Sequence, residues 1–165
     1  MGAGKTTIGR QLAKKTSHKF YDSDHEIEQR TGVNISLIFE IEGEEGFRKR
    51  ESQIIEELVL LDNIVLSTGG GAVTQPENRQ VLKKNGYIIY LKSRPEMLHK
   101  RTAGDKRRPL LQGQNRLEQI KKILSEREPI YISMADEIID TDKMSIKQII
   151  QKIINLIETN ESYRS

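Results

Sequence analysis

Gly2-Ala3-Gly4-Lys5-Thr6-Thr7 forms the tail of a Gly-x-x-x-x-Gly-Lys-[Ser/Thr] loop, whose first glycine and preceding strand are not part of the sequence. Glycines let backbone N–H groups close on phosphate oxygens. Lys5 reaches β- and γ-phosphates, and the Thr6 hydroxyl binds Mg²⁺ at the N-terminus of the following helix. The ligand suited to this chemistry is the phosphates of a nucleotide with Mg²⁺, although the same letters also fit a plain turn entering a helix.

Asp22 and Asp24 stand two apart at the end of a short apolar run, so strand alternation turns both side chains to one face. Strand carboxyl ends are where α/β folds bind ligands. One carboxylate can therefore serve a Mg²⁺ shell while the other meets an acceptor hydroxyl. Arg48 and Glu51 lie three apart on one helix, where the carboxylate can orient the guanidinium for bidentate binding of a substrate carboxylate. Gly69-Gly70-Gly71 implies that a ligand or another backbone comes very close. Arg108, in the basic run Lys106-Arg107-Arg108, is placed to stabilise a transferring phosphoryl group, and Arg127 is a further candidate anion ligand.

The elements that carry these groups alternate. A helix over 5–15 turns Ile8, Leu12 and Ala13 inward, a strand covers 19–22, and a polar helix over 24–30 ends at Gly32. A short helix over 35–41 and, past Gly43, a longer one carrying Phe47, Ile54, Ile55, Leu58 and Leu61 bracket a pocket. The strands over 63–67 and 87–91 lack polar alternation and are expected to be buried on both faces. Helices opened by Pro76 and Pro95 follow them, and a lid loop spans about 103–115. A helix over 117–128 stops at Pro129, a last strand covers Glu137–Asp140, and an isoleucine stripe from Ile146 to Ile157 marks the closing helix. Alternating strands and helices predict one α/β three-layer domain, built on a parallel sheet and spanning 1–165.

With 165 residues, 35% hydrophobic and 31% charged, the chain suits a single soluble domain. A net charge of +3, spread along the chain, suits anionic small molecules and falls short of the basic face of a nucleic-acid binder. The absence of cysteine removes disulfides and thiolate metal sites, and His18, His25 and His99 are too scattered for a zinc centre. No apolar run is long enough for a membrane span, so cytoplasm is the expected location.

Taken together, the Gly-x-Gly-Lys-Thr loop, Asp22-Ser-Asp24, Phe39 through Gly43-Glu-Glu-Gly-Phe47-Arg48 to Glu51, Thr68-Gly-Gly-Gly71, Arg108-Pro-Leu-Leu111 and Arg127-Glu-Pro-Ile-Tyr131 resemble the shikimate kinases nearly end to end. The resemblance implies a P-loop kinase fold with strand order 2-3-1-4-5. It also implies transfer of the ATP γ-phosphate to the 3-hydroxyl of shikimate, on the route to chorismate and the aromatic amino acids. Carried over by position, Gly2, Ala3, Gly4, Lys5, Thr6 and Thr7 hold ATP, and Thr6 and Asp22 hold Mg²⁺, the latter through water. Asp24 takes the acceptor hydroxyl, Arg48 and Arg127 grip the carboxylate, Gly70 and Gly71 close on the ring, and Phe39 and Phe47 line the pocket within substrate-binding helices at about 24–61. Arg101 lies against adenine, and Arg108 acts from the lid. A monomer is expected.

The family's first strand is central, and burial of each large aliphatic side chain is worth about 1.5–3 kcal/mol. A chain without it is expected to fold poorly, and an apolar strand ending in glycine is expected ahead of Met1. The rival readings are a related kinase acting on gluconate or a nucleoside monophosphate, and a nucleotide-binding protein that does not catalyse.

Overall fold

The computed structural model describes residues 2–104 and 115–164, with side chains described as far as residue 160. Along the chain run α1 (Lys5–Thr16), β1 (Lys19–Asp22), α2 (Ser23–Thr31), α3 (Ile35–Leu58), β2 (Ile64–Ser67), a 3₁₀ turn (Ala72–Thr74), α4 (Pro76–Asn85), β3 (Ile89–Lys92), α5 (Pro95–Thr102), α6 (Arg116–Met134), β4 (Glu137–Asp140) and α7 (Ile146–Arg164). Most of the lid at about 103–115, Arg108 included, lies outside the described residues.

The strands pair in parallel, β1 with β2 from Lys19↔Ile64 to Asp22↔Ser67, and β3 with β4 from Ile89↔Glu137 to Lys92↔Asp140. These two pairs are separate sheets. Between the free edges of β2 and β3 runs an apolar slot of about 250 Å³, walled by Ile8, Leu12, Val65, Ile89, Leu91 and Met134 among others. No described residue forms a strand there. Two parallel pairs thus flank a central space.

Residues of β2 point to alternate faces, as the pleat requires. Val65 packs on the cluster of Ile8, Leu12, Ile139, Ile149, Ile150 and Ile153, while Leu66 packs on Ile27, Ile38, Phe47, Ile54 and Leu58. Helices therefore cover both faces of β2, the three-layer arrangement expected. The strands are nevertheless only partly buried: Ile64, Val65, Leu66, Ile89, Tyr90 and Leu91 are all intermediate in exposure. The expectation of full burial fails because the edges of β2 and β3 open onto the slot.

Three local differences have plain causes. The helix expected to stop at Pro129 continues to Met134. Proline removes one N–H, and its cost is confined to the turn before it. Leu61 does not join the core stripe of α3, because that helix ends at Leu58 and Leu61 is 44% exposed. Ile146, expected in the stripe of α7, is 42% exposed at the start of that helix. By contrast, the break expected at Gly43 is present. Its φ of 69° and ψ of −177° interrupt α3 with a backbone that only glycine adopts readily.

Candidate active site

The phosphate loop reaches α1 through two left-handed glycines, Gly2 at φ 60° and Gly4 at φ 89°, and Gly4 caps the helix without a side chain. A Cβ on Gly2 would press on Thr102 Cγ2 at 2.8 Å, so the loop runs tight against α5. Gly4, Thr6 and Thr7 are exposed at the helix N-terminus, where free N–H groups and the helix dipole favour an anion.

Asp22 divides its carboxylate between two tasks. Oδ1 accepts from the backbone N–H groups of Asp24 at 3.1 Å and His25 at 3.3 Å, capping α2, while Oδ2 accepts from the Thr6 hydroxyl at 2.9 Å. Strand alternation is thus not what brings the two aspartates together. The strand ends at Asp22, and Asp24 sits in the first turn of α2, yet both face one cavity of about 350 Å³. That cavity is lined by Gly2, Gly4, Lys5, Thr6, Thr7, Asp22, Asp24, Ser67, Thr68, Gly69, Gly70 and Arg101. The Thr6–Asp22 oxygen pair fits Mg²⁺, which takes few protein ligands and keeps several waters. Among the described residues there is no cluster of three or more His, Cys, Asp or Glu suited to a metal.

Behind the cavity lies a buried charged group. Arg48 is 7% exposed, Arg127 9% and Glu51 0%. The Arg48 guanidinium donates to Glu51 Oε2 at 2.6 Å and to Glu44 Oε1 at 3.1 Å, as the spacing of three predicted for Glu51. Burial first, with a smaller push from nearby Asp24, raises the Glu51 carboxyl to about 7 against the pull of Arg48 and Arg127, which hold it down. Its Oε1 has no hydrogen-bond partner. The glycine loop meets this group directly. A Cβ on Gly69 would stand 2.8 Å from Glu51 Oε1 and 3.0 Å from Asp24 Oδ1, and one on Gly71 would overlap the Arg48 guanidinium.

Phe39 and Phe47 stack at 4.8 Å between centroids, and the Arg48 guanidinium lies 5.2 Å from the Phe47 ring. Like Arg48 and Arg127, they are not among the residues lining the two cavities; both rings pack in the cluster of Ile27, Ile38, Ile54 and Leu58, and the Phe47 ring supports Arg48. Arg101 is held over the phosphate loop: its Nη1 donates to Ser93 Oγ and Thr141 Oγ1 at 3.3 Å each and to the Gly2 carbonyl at 3.5 Å, and Nη2 lies 3.6 Å from Asp142. Burial raises the Asp142 carboxyl, but hydrogen bonds from Ser93 and Arg94 outweigh it and leave it below the usual range. Ser93, Thr141 and Asp142 were not foreseen. They follow the carboxyl ends of β3 and β4, the one available signal.

Comparison with known proteins decides the family. The shikimate kinase family profile matches residues 1–158. The chain is 55% identical over 154 residues to the shikimate kinase of Nitrosococcus oceani, covering 93% of this chain and 81% of the relative.

The chain belongs to the shikimate kinase family.

The enzyme of Thiobacillus denitrificans is 56% identical over 146 residues, covering 88% of this chain and 80% of that one. Among solved structures, the shikimate kinase of Acinetobacter baumannii in complex with shikimate superposes with a TM-score of 0.94 at 47% identity, covering 97% of this chain and 89% of that chain. Membership makes the chain an ATP- and Mg²⁺-dependent phosphotransferase acting on shikimate, and sets aside the gluconate, nucleoside monophosphate and non-catalytic readings.

Proposed function

We propose that the cavity between the phosphate loop and the glycine loop is the site of transfer, with each residue in the role its position suggests. Lys5 and the amides of 2–7 hold the triphosphate, and Thr6 with Asp22, through water, holds Mg²⁺, which supplies charge neutralisation between the phosphates. Asp24 meets the 3-hydroxyl of shikimate, Arg48 and Arg127 bind its carboxylate, and Gly70 and Gly71 close on the ring, Gly71 at a place where a Cβ would overlap the Arg48 guanidinium. Phe39 and Phe47 line the substrate pocket, with the Phe47 ring resting against Arg48, and Arg101 lies against the adenine. Arg108 acts from the lid segment by its place in the sequence. The protein works as a single-domain monomer in the cytoplasm, without nucleic acid or membrane. No described helix is long and apolar enough to cross a membrane.

The observation that carries this reading is the shared cavity: Lys5, Thr6, Asp22 and Asp24 line one side of it, and Gly70 backs it on the other. Phosphoryl transfer has a loose transition state, so its demands are positioning and charge stabilisation. Asp24 accordingly orients the hydroxyl and takes its proton late. Asp24→Asn is expected to lower kcat by about 100-fold or more while ATP affinity changes little. Steady-state kinetics with both substrates varied checks this, and an equal loss of turnover and ATP affinity would remove Asp24 from the role.

A further inference from the structure

Three consecutive glycines lose more conformational freedom on ordering than any other triplet, and they carry no side chains to hold themselves in place. Here they must nevertheless stand at a fixed height, since even a Cβ on Gly71 would overlap a buried guanidinium. Two side chains from distant parts of the chain supply the restraint. On one flank Ser23, fully buried between the two aspartates, accepts the Gly69 N–H at 3.1 Å. On the other, the Tyr131 hydroxyl donates to the Gly70 carbonyl at 2.5 Å.

Tyr131 is itself braced. Its ring packs on Tyr90 with 5.0 Å between centroids, the Tyr90 hydroxyl donates to Glu128 at 3.2 Å, and Glu128 pairs with Lys92 at 3.0 Å. One turn earlier on α6, the Arg127 guanidinium lies close enough to the Tyr131 phenol to hold its pKa down. Burial also keeps that phenol protonated, and so a donor, at neutral pH.

We infer that Tyr131 and Ser23 are positioning residues for the acceptor substrate, clamping the glycine loop and tying its height to Arg127 on one side and to the Asp22–Asp24 turn on the other. The inference rests on the reading that Arg127 and the glycine loop bind shikimate. It adds that the loop's register is set from outside the loop, and that shikimate affinity depends on two hydroxyls that never touch the substrate.

The test uses the full chain with Tyr131→Phe, Ser23→Ala and Arg127→Lys. It reads shikimate Kd by calorimetry, KM for each substrate, kcat, and thermal midpoint. Tyr131→Phe keeps the ring and its packing and removes one hydrogen bond, so shikimate Kd and KM should rise about 5- to 10-fold while ATP KM and kcat stay within about twofold. Ser23→Ala should move the same parameters in the same direction. Tyr131→Phe should add less on top of Arg127→Lys than on its own, because the two groups are neighbours one turn apart on α6. An unchanged shikimate Kd in Tyr131→Phe, with Arg127→Lys raising it, overturns the clamp and leaves the site intact. A fall in thermal midpoint with both substrates weakened alike assigns Tyr131 a purely structural role and also overturns it. An unchanged Kd in Arg127→Lys removes the site reading, and the clamp with it.

Discussion

The two ends of the site are built in opposite ways. At the phosphate end the donors are backbone N–H groups and an exposed threonine, and Gly4, Thr6 and Thr7 face solvent. At the carboxylate end the groups are side chains packed out of water: Arg48, Glu51 and Arg127 are each less than a tenth exposed. A mobile, strongly charged triphosphate brings its own metal and can organise a loop around itself. A small acid must instead find its counter-charges already fixed, because one carboxylate cannot offset the cost of assembling buried cations.

The contrast breaks most sharply at the glycines. Gly71→Ala drives a methyl into the buried Arg48 guanidinium, and the expected loss in kcat/KM for shikimate is about 100-fold, the equivalent of ~3 kcal/mol. Gly4→Ala meets nothing nearer than Ile8 Cδ1 at 3.5 Å, so its cost is only that of a left-handed alanine, about 1–2 kcal/mol, felt in ATP binding. Parallel kinetics on the two variants checks the comparison, which fails if both lose the same substrate.

Arg48→Lys comes next. The planar fork is replaced by a point charge that cannot serve Glu51 and a substrate carboxylate together, and shikimate KM should rise roughly 30-fold with ATP KM unmoved. An unchanged shikimate KM would take Arg48 out of the site.

A separate effect falls on stability, not on kinetics. Glu51 has its folded-state pKa raised to about 7 by burial, from an ordinary value of 4.5. Between those values the folded protein binds more protons than the unfolded chain, so stability falls as pH rises through that window and levels off above it. The whole change is on the order of 3 kcal/mol. Thermal midpoints from pH 4.5 to 8 for the wild type and for Glu51→Gln check the sign: the variant should lack this slope.

The phosphate end was legible in the sequence because its residues are contiguous and their geometry is local. Arg48 and Glu51 were also legible, three apart on one helix. The Asp22–Asp24 pair was placed correctly for an incomplete reason, since a helix cap and not strand alternation turns both toward the cavity. What escaped was contact between distant elements. Tyr131 and Gly70 are separated by 61 positions, and no local periodicity couples a phenol on α6 to a carbonyl after β2. The continuation of α6 past Pro129 was missed for the same reason: tertiary packing on Tyr90 and Gly70 outweighs the local cost of a proline.

The slot between β2 and β3 shares Lys5, Ser67, Thr68, Gly69 and Gly70 with the catalytic cavity. The two spaces therefore share one wall, and any displacement of the 67–70 segment alters both at once.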